Sequence, residues 1–260
     1  MRGSHALGVI PARIGSERLA RKPLHPLAGR PLIEWVWRRV AGFRTLAAVV
    51  VATDSEDVAA VCRSFGAPVE LTSPDHASGT DRVAEVAARA GYRDYDVIVN
   101  VQGDEPLMPE VGVDAAVGLV VEGWDVGTVA VPVGTTEAFE DPAVVKVVRR
   151  RDGGALYFSR APIPHRRDGP PTSVDLSDGT CLRHVGLYAF ERRALERWVE
   201  LPADELESIE RLEQLRALRA GLSIGVALID AAESGIDTEA DALRIEARLR
   251  EADHPDSGTG

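Results

Sequence analysis

The stretch GVIPARIGSERLARKPL, residues 8–24, decides the fold class because it joins a buried strand to a basic loop. Residues 6–10 are apolar, and Pro11 ends the run. Gly15 and Ser16 then lie among four cations, which are Arg13, Arg18, Arg21 and Lys22. In α/β proteins such a loop presents backbone N–H groups and cations to a phosphate. The stretch therefore predicts a phosphate site, and the alternative is a solvated arginine loop beside a strand end.

Charge distribution supports a site for an anion. The chain has a formal net charge of -11, yet residues 1–44 contain nine basic residues and two acidic ones. An acidic protein that concentrates positive charge around its first strand is expected to bind an anionic ligand there. The overall negative charge argues against nucleic acid and against an anionic membrane surface as partners. Neither a P-loop nor a G-x-G-x-x-G motif occurs in the sequence.

Other features of the sequence predict a cytoplasmic protein. No apolar run approaches the roughly 20 residues that a membrane-spanning helix needs, and we expect no signal peptide. The two cysteines, Cys62 and Cys181, have no metal-binding spacing and indicate no disulfide framework. Lysine occurs only at Lys22 and Lys146, and every other cation is an arginine.

Strands and helices alternate in the first half of the chain. The predicted strands cover residues 6–12, 47–52, 69–71, 96–101 and 126–133, and the predicted helices cover residues 31–43, 55–66, 80–90 and 109–121. We expect Ser55 to cap the second of these helices and Thr80 the third. This order predicts an α/β fold with a doubly wound, mostly parallel sheet and right-handed crossovers. Ligands of such sheets bind at the carboxyl ends of the strands. The basic loop and the turn at residues 102–106 both follow such ends.

The second half has a different pattern. Residues 143–150 and 155–158 alternate around Asp152-Gly153-Gly154 and predict a hairpin. A long loop is predicted at residues 161–180, followed by strands 181–190 and 223–229 and helices 192–199, 204–219 and 238–250. We expect a core over residues 1–134, a smaller inserted subdomain over 135–225, a return to the core over 226–251 and a disordered tail over 252–260.

Two carboxylates are candidate metal ligands. Asp104 lies on a tight turn after an apolar strand, which suits a Mg²⁺ ligand near phosphates, although aspartate is also common in turns. Asp237 precedes the last helix, where the alternative is an N-cap at Asp237 or Thr238, because Thr238 and Asp241 resemble a capping box.

Four further polar residues have competing interpretations. His184 lies in an alternating strand, which favours a structural histidine. Arg160 follows an aromatic strand and is able to bind a carboxylate in bidentate fashion, or to form a surface salt bridge. Glu213 and Gln214 are typical of the polar face of an amphipathic helix.

Taken together, the motifs resemble one enzyme family. IPARIGSERLARKPL, ATDSEDVA, HASGTDRVAEVA, VIVNVQGDEPLMP, AVVKVV, ALYFSRAPIP, LRHVGLYAF, ESIERLEQLRAL and GIDTEADAL occur in this order over residues 8–245. In this respect the chain resembles the 3-deoxy-manno-octulosonate (KDO) cytidylyltransferases, which have a GT-A-like nucleotidyltransferase fold. The resemblance implies that CTP and an acidic 2-keto sugar give the CMP-sugar and pyrophosphate, in lipopolysaccharide biosynthesis.

The resemblance also implies roles for individual residues. The triphosphate clamp corresponds to Arg13, Arg18 and Lys22, with Lys22 near the α-phosphate. The cytosine and ribose contacts correspond to Ala12, Ser78 and Gly79. Asp104 and Asp237 correspond to the Mg²⁺ ligands. The acceptor pocket corresponds to Gln102, Arg160, His184, Tyr188, Glu213 and Gln214, and Gln102 is expected to contact CTP as well. Residues 1–134 would then bind CTP, and residues 135–225 would bind the acceptor and form a homodimer near the hairpin at 144–158.

The sequence departs from the family pattern in two places. The family loop usually reads R-L-P-G-K-P-L, whereas Ala20 and Arg21 replace its Pro and Gly here. The usual T-P-E-D is Thr238-Glu239-Ala240-Asp241. Because Arg21 adds a cation, a small phosphonate such as phosphonoformate is an alternative acceptor. A non-catalytic CTP-binding regulator is another alternative, and a glycosyltransferase would normally have D-x-D where this chain has Gly103-Asp104-Glu105.

Overall fold

Two units make up the chain, and each is assembled from stretches that are separate in sequence. The computed structural model describes residues 6–15 and 19–253. The first unit comprises Gly8–Tyr92, Asn100–Met108 and Glu233–Gly260, and the second comprises Met1–Leu7, Arg93–Val99 and Pro109–Ala232. This division differs from the expected boundary at residue 134, because residues 109–134 belong with 135–232. The functional labels of the expected division stay predictions.

The described residues form a mixed, mostly parallel α/β fold. The strands are β1 (Ala6–Pro11), β2 (Pro26–Leu27), β3 (Arg30–Pro31), β4 (Leu46–Thr53), β5 (Val69–Leu71), β6 (Val97–Asn100), β7 (Val126–Pro132), β8 (Lys146–Arg149), β9 (Ala155–Ser159), β10 (Leu182–Glu191) and β11 (Ile224–Leu228). The helices are α1 (Leu32–Val40), α2 (Glu56–Ser64), α3 (Gly79–Ala88), α4 (Glu110–Val121), α5 (Thr136–Glu140), α6 (Ser173–Ser177), α7 (Arg192–Glu200), α8 (Glu205–Glu210), α9 (Gln214–Arg219) and α10 (Glu239–Asp253). Short 3₁₀ turns cover Lys22–Leu24 and Ala90–Tyr92.

Strand order differs between the units. In the first unit the order is β1-β4-β5, and β4 pairs with β5 in parallel. In the second unit the order is β11-β7-β10-β6; β11 is parallel to β7, whereas β10 is antiparallel to it. The hairpin predicted around Asp152-Gly153-Gly154 is confirmed, since β8 and β9 pair antiparallel with Val147 opposite Phe158.

Capping residues set the start of two helices of the first unit. Ser55 caps α2 as predicted, and its side chain accepts from the N–H of Val58. The prediction that Thr80 caps the next helix is wrong, because Ser78 is the cap and forms a capping box with Asp81. The Thr80 side chain is buried instead. The shift moves the N-terminus of α3 to Ser78 and Gly79.

Several predicted elements have different limits. The single helix expected over residues 204–219 is broken into α8 and α9, because Arg211 has a left-handed backbone with a φ of 53°. The long loop predicted at 161–180 contains the short helix α6. Residues 252 and 253, expected in a disordered tail, belong to α10, and residues 254–260 lie outside the described residues.

Each unit has its own apolar core. In the first unit Ile10, Leu32 and Ile33 are completely buried. In the second unit the side chains of Phe158 and Trp198 are at most 1% exposed. The two cysteines, Cys62 and Cys181, are free and buried. None of the described helices is long and apolar enough to cross a membrane.

Candidate active site

A cavity of about 400 Å³ lies in the first unit, where β1 gives way to the basic loop. It contains every predicted CTP and metal residue that the structure describes: Ala12, Arg13, Lys22, Ser78, Gly79, Gln102, Asp104 and Asp237. The remaining predicted clamp residue, Arg18, lies outside the described residues. The structure thus brings together residues that are up to 225 positions apart in the sequence.

The end of β4 holds the backbone of the basic loop. Ala12 donates its N–H to Ala52 O at 2.8 Å, and its carbonyl accepts from the Thr53 hydroxyl at 2.6 Å. Two residues further on, the N–H of Ile14 donates to Oδ1 of Asp54 at 3.2 Å. Because strand-end groups fix these peptide units, the loop starts in a defined conformation at the wall of the cavity.

Lys22 links the two candidate metal ligands. Its ammonium group donates to Oδ2 of Asp104 and, at 2.9 Å, to Oδ1 of Asp237. Burial lowers the pKa of Lys22, but the charges and hydrogen bonds of Asp104 and Asp237 outweigh burial and raise the pKa above its ordinary value. Lys22 is therefore a fixed cation between two carboxylates.

Close backbone contacts shape the same region. A Cβ on Gly103 would lie only 2.6 Å from Pro11 O, so glycine allows the turn after β6 to touch the end of β1. The N–H of Ile236 donates to Asp104 O at 3.0 Å. These contacts bring Asp104 and Asp237 to one wall of the cavity.

The capping alternative for Asp237 is resolved by the hydrogen bonds at the start of α10. The Thr238 hydroxyl and the side chain of Asp241 form the reciprocal pair, with Asp241 N donating to Thr238 Oγ1 at 3.2 Å. Thr238 is the capping residue. The Asp237 carboxylate is directed to Lys22 instead.

The donor set of Asp104 and Asp237 fits a hard divalent cation. Both side chains offer carboxylate oxygens, the ligands that Mg²⁺ prefers, and both already bind a cation in Lys22. Among the described residues no group of three or more His, Cys, Asp and Glu side chains is placed to hold a metal. An ion here would need further oxygens from a ligand or from water, as Mg²⁺ sites at nucleotides usually do.

Two further polar residues line the cavity although no sequence pattern singles them out. Arg82 is 3% exposed and donates to Oδ2 of Asp54 at 3.1 Å, so it supports the carboxylate that holds Ile14. His76 Nε2 lies 2.6 Å from Oε2 of Glu85. Although burial raises the pKa of Glu85, hydrogen bonds, including those from Ser73 and His76, lower it to about 2. Both residues lie in the motif HASGTDRVAEVA, but only the tertiary structure shows that they line the cavity.

The contacts of Arg21 do not indicate a role in phosphate binding. Its backbone is left-handed, with a φ of 51°. Its guanidinium forms an exposed ion pair with Oδ2 of Asp57 at 2.8 Å. The additional cation of this loop is therefore paired with α2.

His184 and Tyr188 are buried side by side in the second unit. His184 Nε2 lies 2.9 Å from the Thr128 hydroxyl, and its ring centroid is 5.3 Å from that of Tyr188. Burial, with a smaller effect of Arg183, lowers the pKa of His184 to about 3. Burial, with the charge of Glu213, raises the pKa of Tyr188. Both side chains are neutral near pH 7.

Arg160 binds backbone carbonyls. Its guanidinium donates to Glu210 O at 2.8 Å and to Pro142 O at 2.9 Å. The alternative of a surface salt bridge is not found in the described part of the chain. The positive charge of Arg160 is thus held in place by neutral acceptors.

Glu213 and Gln214 do not form the solvated helix face that their pattern indicates. Gln214 is 5% exposed, and Glu213 is half-buried and accepts from Trp198 Nε1 at 2.9 Å. The helix break at Arg211 makes α9 a separate helix that buries Gln214, Leu215 and Ala217. Of the six predicted acceptor residues, Gln102 lies in the first unit, and the other five lie in the second.

Comparisons with known proteins identify similar sequences along nearly the whole chain. The family model described as Cytidylyltransferase matches residues 7–224. The 3-deoxy-manno-octulosonate cytidylyltransferase of Gemmatimonas aurantiaca is 49% identical over 239 residues, which are 92% of each chain. That of Saccharophagus degradans is 43% identical over 93% of this chain and 97% of its own.

Solved structures agree with these relatives. A CMP:2-keto-3-deoxy-manno-octonic acid synthetase complexed with CTP superposes with a TM-score of 0.87 at 35% identity, over 96% of this chain and 100% of its own. A 4-diphosphocytidyl-2C-methyl-D-erythritol synthase from Anaerococcus prevotii shares the fold alone, with a TM-score of 0.58 at 13% identity, over 95% of this chain and 99% of its own.

Proposed function

Since the chain belongs to the 3-deoxy-manno-octulosonate cytidylyltransferase family and is a nucleotidyltransferase, we propose that it transfers CMP from CTP to KDO and releases pyrophosphate. The observation that supports this most directly is the contact of Lys22 with Asp104 and Asp237 in the cavity after β1. One cation and two carboxylates are the groups needed to bind a triphosphate with its metal.

Lys22 and the arginines of the loop bind the triphosphate in this proposal. Lys22 stabilises the negative charge that develops on the α-phosphate during attack, while Arg13 and Arg18 bind the outer phosphates. Asp104 and Asp237 hold Lys22 at the wall of the cavity, and the ammonium group would turn to the phosphates when the nucleotide binds. Ala12, Ser78 and Gly79 contact the cytosine and ribose. The lack of a side chain at Gly79, whose Cβ would lie 3.4 Å from Pro11 Cγ, leaves room for close packing.

Asp104 and Asp237 would hold the Mg²⁺ ion that the family resemblance implies. When bound there, Mg²⁺ neutralises phosphate charge and lowers the pKa of the attacking sugar hydroxyl. The two aspartates would hold the ion, and Lys22 would supply a second positive charge to the phosphates. The proton of the attacking hydroxyl would pass to water, because both aspartates would be occupied as metal ligands.

The acceptor residues that we propose are Gln102, Arg160, His184, Tyr188, Glu213 and Gln214. Arg160 is suited to the sugar carboxylate because its charge is held by carbonyls. His184 and Tyr188, both neutral, are suited to hydrogen bonds with sugar hydroxyls. The set combines one cation, four neutral polar groups and the carboxylate of Glu213, and its cation matches the carboxylate of an acidic sugar.

Neither alternative function is favoured. The phosphonate acceptor depended on Arg21, and this residue pairs with Asp57 at an exposed surface. The relatives favour a sugar acceptor and argue against a non-catalytic regulator. A homodimer built near the hairpin β8–β9, and a location in the cytoplasm, stay proposals that rest on the family resemblance.

Pyrophosphate release from CTP and Mg²⁺, with KDO and phosphonoformate as separate acceptors, tests the proposal. We expect release with KDO and none above the acceptor-free background with phosphonoformate. Release only with phosphonoformate would contradict the acceptor while keeping nucleotidyl transfer. No release with either acceptor, from folded protein, would contradict the proposal altogether.

A further inference from the structure

Lys146 is a buried cation that the proposed reaction does not use. It is one of the two lysines of the chain, lies at the start of β8 in the second unit and is completely inaccessible to solvent. A buried ammonium group is costly unless each of its donors is satisfied. The partners of Lys146 therefore indicate why a charge is placed there.

Three backbone carbonyls bind the ammonium group. Lys146 Nζ donates to Asp141 O at 2.9 Å, to Val144 O at 2.6 Å and to Arg160 O at 2.7 Å. An ammonium group has three donors, so the set is complete. The planar guanidinium of arginine cannot direct three donors from one point, which explains lysine in a chain whose other cations are almost all arginine.

The main chain of Arg160 is held on both sides. Its carbonyl accepts from Lys146, and its N–H donates to Oε2 of Glu210 at 2.9 Å. The second oxygen of Glu210 accepts from the Ser159 hydroxyl at 2.7 Å. Both peptide groups that flank the Arg160 Cα are thereby fixed, and with them the direction in which the side chain leaves the backbone.

The side chain of Arg160 contacts the same turn as Lys146. Its Nη1 donates to Pro142 O, while Lys146 binds the carbonyls of Asp141 and Val144. Three of the four carbonyls from 141 to 144 therefore bind one of these two cations. The turn connects Lys146 to the Arg160 guanidinium, so a displacement of the turn would reach the guanidinium directly.

We propose that Lys146 is a positioning residue for acceptor binding and acts through Arg160. The proposal rests on the proposed function, in which Arg160 binds the carboxylate of the acceptor. Lys146 does not touch substrate. Removing its ammonium group takes a donor from three carbonyls, and the peptide group after Arg160 loses its anchor. Small displacements of a substrate-positioning group have large effects on binding and catalysis.

Steady-state kinetics of Lys146→Met test this role in the full-length protein. We expect the KM for KDO to rise about tenfold or more, with the KM for CTP within about twofold of wild type. Should Lys146→Met not fold, Lys146→Gln, which keeps two donors but no charge, is measured in its place. An unchanged KM for KDO would overturn the proposal.

Val147→Ala is the matched control for a general loss of stability in the hairpin β8–β9. Val147 is the next residue of β8 and is fully buried, so its truncation destabilises the same hairpin without removing a contact to Arg160. Both variants are compared by thermal melting and by the KM for KDO. An equal rise in KM from Val147→Ala, at an equal loss of Tm, would also overturn the proposal.

Arg160→Ala separates failure of this inference from failure of the proposed function. If Arg160→Ala leaves the KM for KDO unchanged, the proposed role of Arg160 fails and the inference fails with it. If Arg160→Ala raises that KM but Lys146→Met does not, only the inference fails. The double variant should have the same KM for KDO as Arg160→Ala, because Lys146 acts through Arg160. A KM raised by the product of the two single effects would overturn the proposal, since Lys146 would then act by another route.

Discussion

Lys22 Nζ donates a 2.9 Å hydrogen bond to Oδ1 of Asp237, a residue 215 positions later in the chain. The same ammonium group also binds Asp104. Lys22 therefore offsets one of the two negative charges of the carboxylates that we propose as metal ligands. A divalent cation at these oxygens would have to compete with Lys22 until phosphates offer the ammonium group another partner.

Lys22→Met should therefore strengthen metal binding by the CTP-free protein. Without the ammonium group the two carboxylates repel each other and attract Mn²⁺, and we expect the affinity to rise about tenfold. Electron paramagnetic resonance of free Mn²⁺ measures the change. Arg13→Met, which removes another cation of the same cavity, is the control and should have a smaller effect. No change in Lys22→Met would argue that these carboxylates do not hold the metal.

Asp104→Asn should lower kcat at least about 10²-fold, since one preorganised charged group at the reacting phosphate is lost. Pyrophosphate release at saturating CTP, KDO and Mg²⁺ measures this change. Asp57→Asn, an exposed carboxylate that pairs with Arg21, is the control and should keep kcat. An Asp104→Asn enzyme within tenfold of wild type would remove Asp104 from the metal site.

Gly103→Ala should weaken CTP binding and lower stability. A Cβ at this position would lie 2.6 Å from Pro11 O, so the two backbones must separate. We expect a loss of about 1–3 kcal/mol in the free energy of unfolding and a higher KM for CTP. Gly118→Ala, in α4 where a Cβ meets nothing within 4 Å, is the control. Urea unfolding and kinetics give both quantities, and unchanged values would show that the contact is dispensable.

Arg21→Gly should stabilise the protein by about 1 kcal/mol, because glycine adopts a φ of 51° without the strain of a side chain. The exposed ion pair with Asp57 contributes less than this strain costs. Arg21→Ala, which keeps the strain and loses the pair, should not be stabilised. Thermal melting distinguishes the variants. A destabilised Arg21→Gly protein would mean that the Asp57 pair outweighs the strain.

His184 should contribute to loss of stability in acid. Its pKa falls from 6.5 to about 3 on folding, so the unfolded state takes up a proton first. The free energy of unfolding therefore decreases as the pH falls from 6.5 towards about 3. Urea unfolding at about pH 7 and about pH 5 should show a steeper decline for wild type than for His184→Gln. Parallel declines would argue against a depressed pKa.

Local patterns predicted much of the fold. The β-branched run of β4, the cap at Ser55 and the turn at Asp152-Gly153-Gly154 each depend on a few neighbouring residues, and each was located correctly. The helix break at Arg211 was not predicted, because the residues around it favour a helix and no local pattern favours a left-handed backbone at Arg211. Local patterns also do not predict contacts such as that between the Arg160 guanidinium and Glu210 O, because these residues are 50 positions apart in the chain.

The sequence by itself determined the α/β class, the basic loop after β1 and the residue types of the site, since these depend on short-range pattern and on motifs. Only the tertiary structure decided that Lys22 meets both Asp104 and Asp237, that Arg82 is buried behind the loop, and that Arg21 pairs with α2. The physical reason is that ion pairing and burial depend on distances between chain segments, which the packing of strands and turns fixes and which no local sequence pattern contains.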